Sequence, residues 1–260
     1  MSFLRLFRKI ARKAKKAVEE SDSKEVGTNP LGQRSMRMDM AVEQVVMDEL
    51  KKLDCALLSE ETGMKEFSRK PKHVFVVDPV DGSENYRRNI PIYALGICVA
   101  PYGGNVSDVT ESYIYDLVRG EEFYAAKGRG CWRNGKRVKA SGVKEIEESI
   151  VSLDFYDKVE AVPDSVKADL LKMTMDYRRF GPDLLDMAYV ASGSLDGFID
   201  VNGTLSVIHA SGPAIMSETC VVTDESGQKI RAKLVDVKDS LSIVAAGTKE
   251  LHAQLLKLVK

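Results

Sequence analysis

Long apolar runs are missing from these 260 residues, and so is any excess of charge of one sign. No stretch approaches the roughly 20 apolar residues that a membrane-spanning helix needs. The N-terminus also lacks an uninterrupted apolar segment of signal-peptide type. A formal net charge of -1 removes the global basic field expected of a nucleic-acid binder. Cysteine is scarce. Cys55, Cys98, Cys131 and Cys220 lie far apart, and none forms a CxxC pair. Core thiols in a reducing compartment explain this pattern better than a disulfide framework does. Internal repeats and low-complexity segments are absent as well. What remains, at 44% hydrophobic and 30% charged residues, has the composition of a soluble globular protein. The expectation is a cytoplasmic chain without nucleic-acid partners and without membrane contact.

Apolar spacings of three and four at Leu4, Phe7, Ala11, Ala14 and Val18 predict a helix over residues 3–20. Its other face carries Arg5, Arg8, Lys9, Arg12, Lys13, Lys15 and Lys16. A basic amphipathic helix can lie on an anionic membrane. Here the alanine-rich apolar face favours packing against the body instead. Residues 21–35 are polar and broken by Gly27, Pro30 and Gly32, which predicts a loop. A second helix follows over 38–53, on which Asp39 and Glu43 read as surface charge. Strands are expected at 56–59, 74–77, 92–99, 113–116 and 122–126, with a hairpin turn at Asn134-Gly135. The second half alternates: strand 150–153, helix 165–177, strand 179–180, helix 184–192, strand 195–201, helix 209–218 and strand 220–223. It ends on strand 241–246 and a helix capped by Thr248. The pattern is α+β in the first half and α/β in the second, hence a layered α/β arrangement. A soft boundary near residues 140–148 divides the chain into 1–145 and 146–260.

The chemistry gathers where the strand 74–77 meets Asp78-Pro79-Val80-Asp81-Gly82-Ser83. Pro79 disfavours helix at Asp78, so a turn at the strand tip brings the two carboxylates together. Close like charges repel unless a cation lies between them, and hard oxygens suit Mg²⁺ or Mn²⁺. Gly82 and Ser83 then open a new segment with free N–H groups suited to phosphate. The same four residue types also make an ordinary turn, and both readings stand on this stretch alone. Glu60 and Glu61 tip the balance, because a second strand also ends in carboxylates. If the strands are neighbours, three carboxylates converge and can hold two ions, the arrangement of a metal-assisted phosphomonoesterase.

These residues carry a resemblance. Ser59-Glu60-Glu61-Thr62-Gly63, Asp78-Pro79-Val80-Asp81-Gly82-Ser83-Glu84-Asn85 and Ile90-Pro91-Ile92-Tyr93-Ala94 resemble the inositol monophosphatase family, in particular its archaeal fructose-1,6-bisphosphatase/inositol monophosphatase branch. The likeness continues through Ala126-Lys127-Gly128-Arg129-Gly130 and Tyr189-Val190-Ala191-Ser192-Gly193, in order, over nearly the whole chain. It implies a layered αβαβα sandwich of the sugar-phosphatase type, usually a homodimer. It implies Mg²⁺-dependent hydrolysis of a small sugar or inositol phosphate, such as inositol-1-phosphate or fructose-1,6-bisphosphate. Glu60, Asp78 and the Val80 carbonyl would then hold one metal, and Asp78 with Asp81 would contribute to a second. Gly82 and Ser83 would bind phosphate, with Pro182 and Asp183 on the substrate wall. Ser83, Glu61 and Asp81 would be the catalytic groups, with the Ser83 hydroxyl orienting the attacking water.

Three departures from the family pattern accompany the resemblance. His209 stands where the family has a metal-binding aspartate, and an imidazole suits Mn²⁺ or Zn²⁺ better than Mg²⁺. Residues 29–35 hold no acid to pair with the Ser83 hydroxyl. Phe180-Gly181-Pro182-Asp183 replaces a glycine-serine-x-alanine wall. The leading expectation is a metal-dependent phosphatase of a small sugar or inositol phosphate. The alternatives are a catalytically impaired relative that acts as a phosphate-ligand-binding or regulatory protein, or a nucleotide phosphatase acting on 3′-phosphoadenosine phosphate or NADP. For the last of these, Arg87 and Arg88 could meet a second phosphate, or be plain loop charges.

Overall fold

The computed structural model describes residues 2–154 and 163–260. Its largest unit is an eight-stranded sheet in the order β10-β9-β8-β7-β6-β5-β3-β4. The strands are β3 (Cys55–Ser59), β4 (Gly63–Glu66), β5 (His73–Asp81), β6 (Ala94–Pro101), β7 (Glu111–Asp116), β8 (Glu122–Ala126), β9 (Gly130–Arg133) and β10 (Lys136–Val138). Side chains alternate across a strand, so each strand feeds two cores. Phe75 and Val77 face α1 (Leu4–Glu19) and α2 (Arg37–Leu50), packing with Phe7, Val42 and Tyr113. Val74 and Val76 face the other way, onto α5 (Asp183–Ala191) and α6 (Ser211–Met216). Each fully buried side chain of this size is worth about 1.5–3 kcal/mol.

A second sheet of five strands covers those middle helices, in the order β12-β11-β13-β15-β14. Its strands are β11 (Ile150–Leu153), β12 (Asp176–Arg178), β13 (Gly197–Ser206), β14 (Val221–Thr223) and β15 (Ser240–Ala246). Its outer face buries Val151, Ile199 and Val244 against Leu170 of α4 (Asp164–Met173) and Leu251 and Leu255 of α7 (Lys249–Val259). The layers run helix, sheet, helix, sheet, helix, as the resemblance implies. The Asn134-Gly135 turn joins β9 to β10 with both residues at positive φ, the geometry of a tight hairpin.

Several expectations need correction. Residues 21–35 are not all loop. β1 (Glu25–Thr28) and β2 (Arg34–Met36) form a hairpin there. The helix expected at 165–177 stops at Met173, and strand pairing begins at Asp176, because β11 captures that backbone in parallel register. The helix expected at 209–218 is a 3₁₀ turn, Val207–Ala210, followed by α6. β13 also runs on to Ser206.

The most consequential correction concerns β5. It does not end at Asp78. Asp78 pairs with Gly96 and Asp81 pairs with Ala94, so three steps on β5 oppose two on β6. That is a β-bulge, and Pro79, which has no N–H to give the ladder, lies inside it. The bulge turns both carboxylates to one side while the strand continues.

Candidate active site

β3 and β5 are parallel neighbours, with Ser59 opposite Val77. This register sets Glu60 and Glu61, just past the end of β3, beside Asp78. Gly96, across from Asp78, has no side chain because none fits: a Cβ there would lie 2.3 Å from Leu184 Cδ1. α5 therefore leans directly on the sheet, and the Leu184 N–H donates to Asp81 Oδ2 at 2.7 Å. The result is a cleft of about 640 Å³ lined by Glu60, Glu61, Asp78, Val80, Asp81, Gly82, Ser83, Asp183 and His209, among others. Pro182 is the one expected site residue that does not line it. Pro182 is buried and packs over Gly82, where an added Cβ would sit 3.3 Å from its own Cβ and 3.1 Å from the Ile92 carbonyl. With φ at +90°, position 82 is closed to other residues.

Gly82 caps α3 (Ser83–Arg87). Asn85 fastens this short helix by donating to the carbonyls of Ile92 and Phe180 at 2.9 and 2.8 Å. Arg87 and Arg88 both pair with Glu84, so they are held in a local surface network.

The acid expected within residues 29–35 is on α2. Asp39 Oδ1 lies 3.1 Å from the Ser83 hydroxyl, which also lies 2.8 Å from the Val80 carbonyl. The hydroxyl has one proton and gives it to one of these oxygens at a time. Asp39 Oδ2 accepts from the Met36 N–H at 3.0 Å. Asp39 and Glu43 are thus not surface charges; both are buried. Burial, then the charges of Glu61 and Glu60, push the Asp39 carboxyl up to about 8. Asn29 still reaches the site, donating to Glu60 Oε1 at 3.1 Å. The Ser35 hydroxyl donates to Glu61.

His209 enters from the 3₁₀ turn after β13. Its Nε2 lies 3.3 Å from Asp78 Oδ2 and 3.8 Å from Asp81 Oδ1, and its Nδ1 is 3.3 Å from the Ser206 carbonyl. Burial works against a charged ring here. The nearby charge of Asp81, with that of Glu60 behind it, outweighs burial and holds the imidazole above its ordinary range. Burial and the neighbouring carboxylates drive Asp78 well above the normal carboxylate range, and push Glu60 to about 7.

The donor chemistry fits a divalent cation. Asp78 Oδ1 is buried and has no hydrogen-bond partner among the described residues. With Glu60, Asp81 and the Val80 carbonyl it presents a set of hard oxygens, the kind Mg²⁺ and Mn²⁺ take. An unshared buried carboxylate oxygen is costly unless a cation completes it.

A second acidic group lies along the same cleft. Asp154, Asp183 and Asp200 each offer an oxygen, and these lie within 4.8 Å of one another. The resemblance implies Asp183 on the substrate wall, whereas no motif in the sequence marks Asp154 or Asp200. Their only signal is register: Leu153 pairs with Ile199 in parallel, so the next residue of each strand falls side by side.

The family model for inositol monophosphatases matches residues 4–260. The chain is 30% identical over 266 residues to the fructose-1,6-bisphosphatase/inositol-1-monophosphatase of Archaeoglobus fulgidus, covering 99% of this chain and 98% of that one. It is also 30% identical to the bifunctional NADP phosphatase/NAD kinase of Methanococcus maripaludis, over 98% of this chain but only 49% of that protein. A solved inositol monophosphatase–fructose 1,6-bisphosphatase superposes with a TM-score of 0.85 at 26% identity, covering 99% of this chain and all of that one. The bulged carboxylates, the glycine-serine helix start and these similarities lead to one conclusion: the chain belongs to the inositol monophosphatase family, a family of phosphatases.

Proposed function

We propose that this chain is a Mg²⁺-dependent phosphatase of a small sugar or polyol phosphate. The observation that carries the reading is the meeting of Glu60, Asp78 and Asp81 with the Gly82-Ser83 helix start in one cleft. Glu60, Asp78 and the Val80 carbonyl would hold a metal, with Asp81 and His209 beside it. The imidazole of His209 makes that side better suited to Mn²⁺ or Zn²⁺ than a carboxylate would. A bound divalent ion there would polarise the phosphoryl oxygen and lower the proton affinity of the attacking water. The N–H groups of Gly82 and Ser83, in a first turn without intrahelical partners, would receive the phosphate. Ser83 would position the water through its hydroxyl, and Asp39, ionised once a bound cation offsets the surrounding negative charge, would accept that hydroxyl's hydrogen bond and take up a proton from the water through it. Glu61, steadied by Ser35, stands next to the same path.

Among the described residues, eight carboxylate side chains and one guanidinium, that of Arg34, line the cleft. A leaving group carrying further phosphates finds little positive charge there, whereas sugar or polyol hydroxyls can donate to the carboxylates. The lining therefore favours a sugar or polyol monophosphate over a nucleotide. A second reading rests on His209, whose ring stands 3.3 Å from Asp78. In that reading the cleft binds phosphate ligands with little turnover.

Phosphate release from inositol-1-phosphate decides between them. The expected outcome is metal-dependent release that Asp78→Ala reduces by about 10³-fold or more, the order lost when such electrostatic stabilisation is removed. Absence of release with Mg²⁺, Mn²⁺ and Zn²⁺ would sink the enzymatic reading, as would turnover that Asp78→Ala leaves intact.

A further inference from the structure

Asp154 follows β11, Asp200 lies within β13, and Asp183 is the first residue of α5. Acidic residues gather on many protein surfaces, so their proximity alone says little. Two further observations concern a ligand. Asp183 is only 9% exposed, lines the cleft, and its carboxylate has no hydrogen-bond or ion-pair partner among the described residues. A buried acceptor of that strength, aimed at two other carboxylates, is stable as an anion only with a cation between them. The second observation is charge. Arg179 Nη2 lies 2.6 Å from Asp154 Oδ1. Among the described residues, these three carboxylates and one guanidinium leave two negative charges, which is the charge that one divalent ion cancels. An ammonium group would leave one over.

The donors are also oriented in advance. Asp200 Oδ1 accepts from the Asn202 N–H at 3.1 Å and from its side-chain amide at 3.3 Å. Asn202 Nδ2 donates in turn to the Asp154 carbonyl at 2.6 Å, tying the two strands together at this point. Outer groups of this kind fix the direction of a ligating carboxylate and sharpen its affinity.

We propose that Asp154, Asp183 and Asp200 form a divalent-cation site separate from that of Glu60, Asp78 and Asp81, taking Mg²⁺ or Mn²⁺ through oxygen ligands. Burial and the surrounding aspartates hold the Asp183 carboxyl well above its ordinary range and Asp200 at about 6, costs that an ion would remove. Positions on the ion not filled by protein open into the cleft, where hydroxyls of a polyol can complete them. The site concerns binding by the chain's own donors and does not depend on turnover.

Mn²⁺ titration of the full chain, with free ion read by electron paramagnetic resonance, tests it. The Asp183→Asn, Asp200→Asn double variant is expected to bind one Mn²⁺ fewer than the parent, and Asp78→Asn is expected to keep the ion that the double variant loses. An unchanged count in the double variant would overturn the proposal. Removing buried like charges should leave the metal-free double variant at least as heat-stable as the parent. If that variant does not fold, a Mn²⁺-soaked crystal of the parent decides. Anomalous density among Asp154, Asp183 and Asp200 supports the site, and density confined to Asp78 refutes it. Phosphate release is measured separately, so failure of the phosphatase reading and failure of this site are told apart.

Discussion

Asp39 and Glu49 lie ten positions apart on the same helix, and both are buried. Their surroundings differ in sign. Glu49 sits in the seam between α1 and α2, where Lys9 and Lys13 reach it at 2.7 and 2.6 Å. Those two hydrogen-bonded ammonium groups pull its carboxyl down to about 2. Asp39 sits at the cleft end, where burial and then Glu61 push its carboxyl to about 8. The seam explains the basic face of the first helix. Arg8 pairs with Glu122, and Lys15 donates to the Val118 carbonyl, so much of that charge is spent on the body of the protein. In the seam a carboxylate is matched within the chain. In the cleft, carboxylates outnumber the cationic groups among the described residues, and the fold carries that cost for a ligand.

The comparison breaks most visibly at Asp39. If the cleft end of α2 is functional, Asp39→Asn keeps the hydrogen bond to Ser83 but cannot take a proton. We expect kcat to fall by about 10²-fold or more with KM little changed, the usual range for a lost general base. Ser83→Ala should match it, and the double variant should be no worse than either single, because the two act as a unit. Additive losses in steady-state kinetics would show that they act independently.

Why Asp39 escaped a sequence reading is instructive. Its position on an amphipathic helix says which stripe it occupies, and the end stripe of a buried helix looks like a charged rim. Only the hairpin of β1 and β2, which brings Met36 to the helix start, fixes where that rim points. Asp78, Asp81, Gly82 and Ser83 were legible because their neighbours in the chain are also their neighbours in space. Glu60 was legible once two adjacent strands were assumed. The layers followed from apolar alternation in β5 and β6 and from the helical spacing of α1. The bulge in β5 was not legible, since it is defined by a count against β6 that one strand does not contain. Asp154 and Asp200 were hidden for the same reason.

The pH dependence of stability sharpens the contrast. In the metal-free protein Asp39, at about 8, and Asp186, held at about 7 chiefly by burial, keep protons that the unfolded chain releases near its ordinary value of 3.8. The folded state then binds more protons than the unfolded state between about pH 4 and pH 8, so stability falls as pH rises through that window. Thermal unfolding of metal-free protein should drop on the order of 5 °C across it. Asp186→Asn should flatten the fall, and saturating Mg²⁺ at about pH 8 should oppose it by binding the folded state alone. A midpoint that rises with pH in the absence of metal would contradict the picture of a cleft that stores unmatched carboxylates.

Glu49 provides the opposite slope and the smallest effect. Its folded value is depressed from 4.5 to about 2, so its contribution is complete above about 4.5 and disappears as pH falls toward 2. Lys9 and Lys13 are half exposed, which keeps the energy near that of a screened ion pair despite the burial of Glu49. We expect Glu49→Gln to cost about 1 kcal/mol at neutral pH, less in high salt, with phosphatase activity unaltered. Denaturant melts of parent and variant should converge as pH is lowered from about 4.5. If the difference instead grew with acid, Glu49 would be behaving like Asp39, and the distinction between a matched seam and an unmatched cleft would not hold along α2.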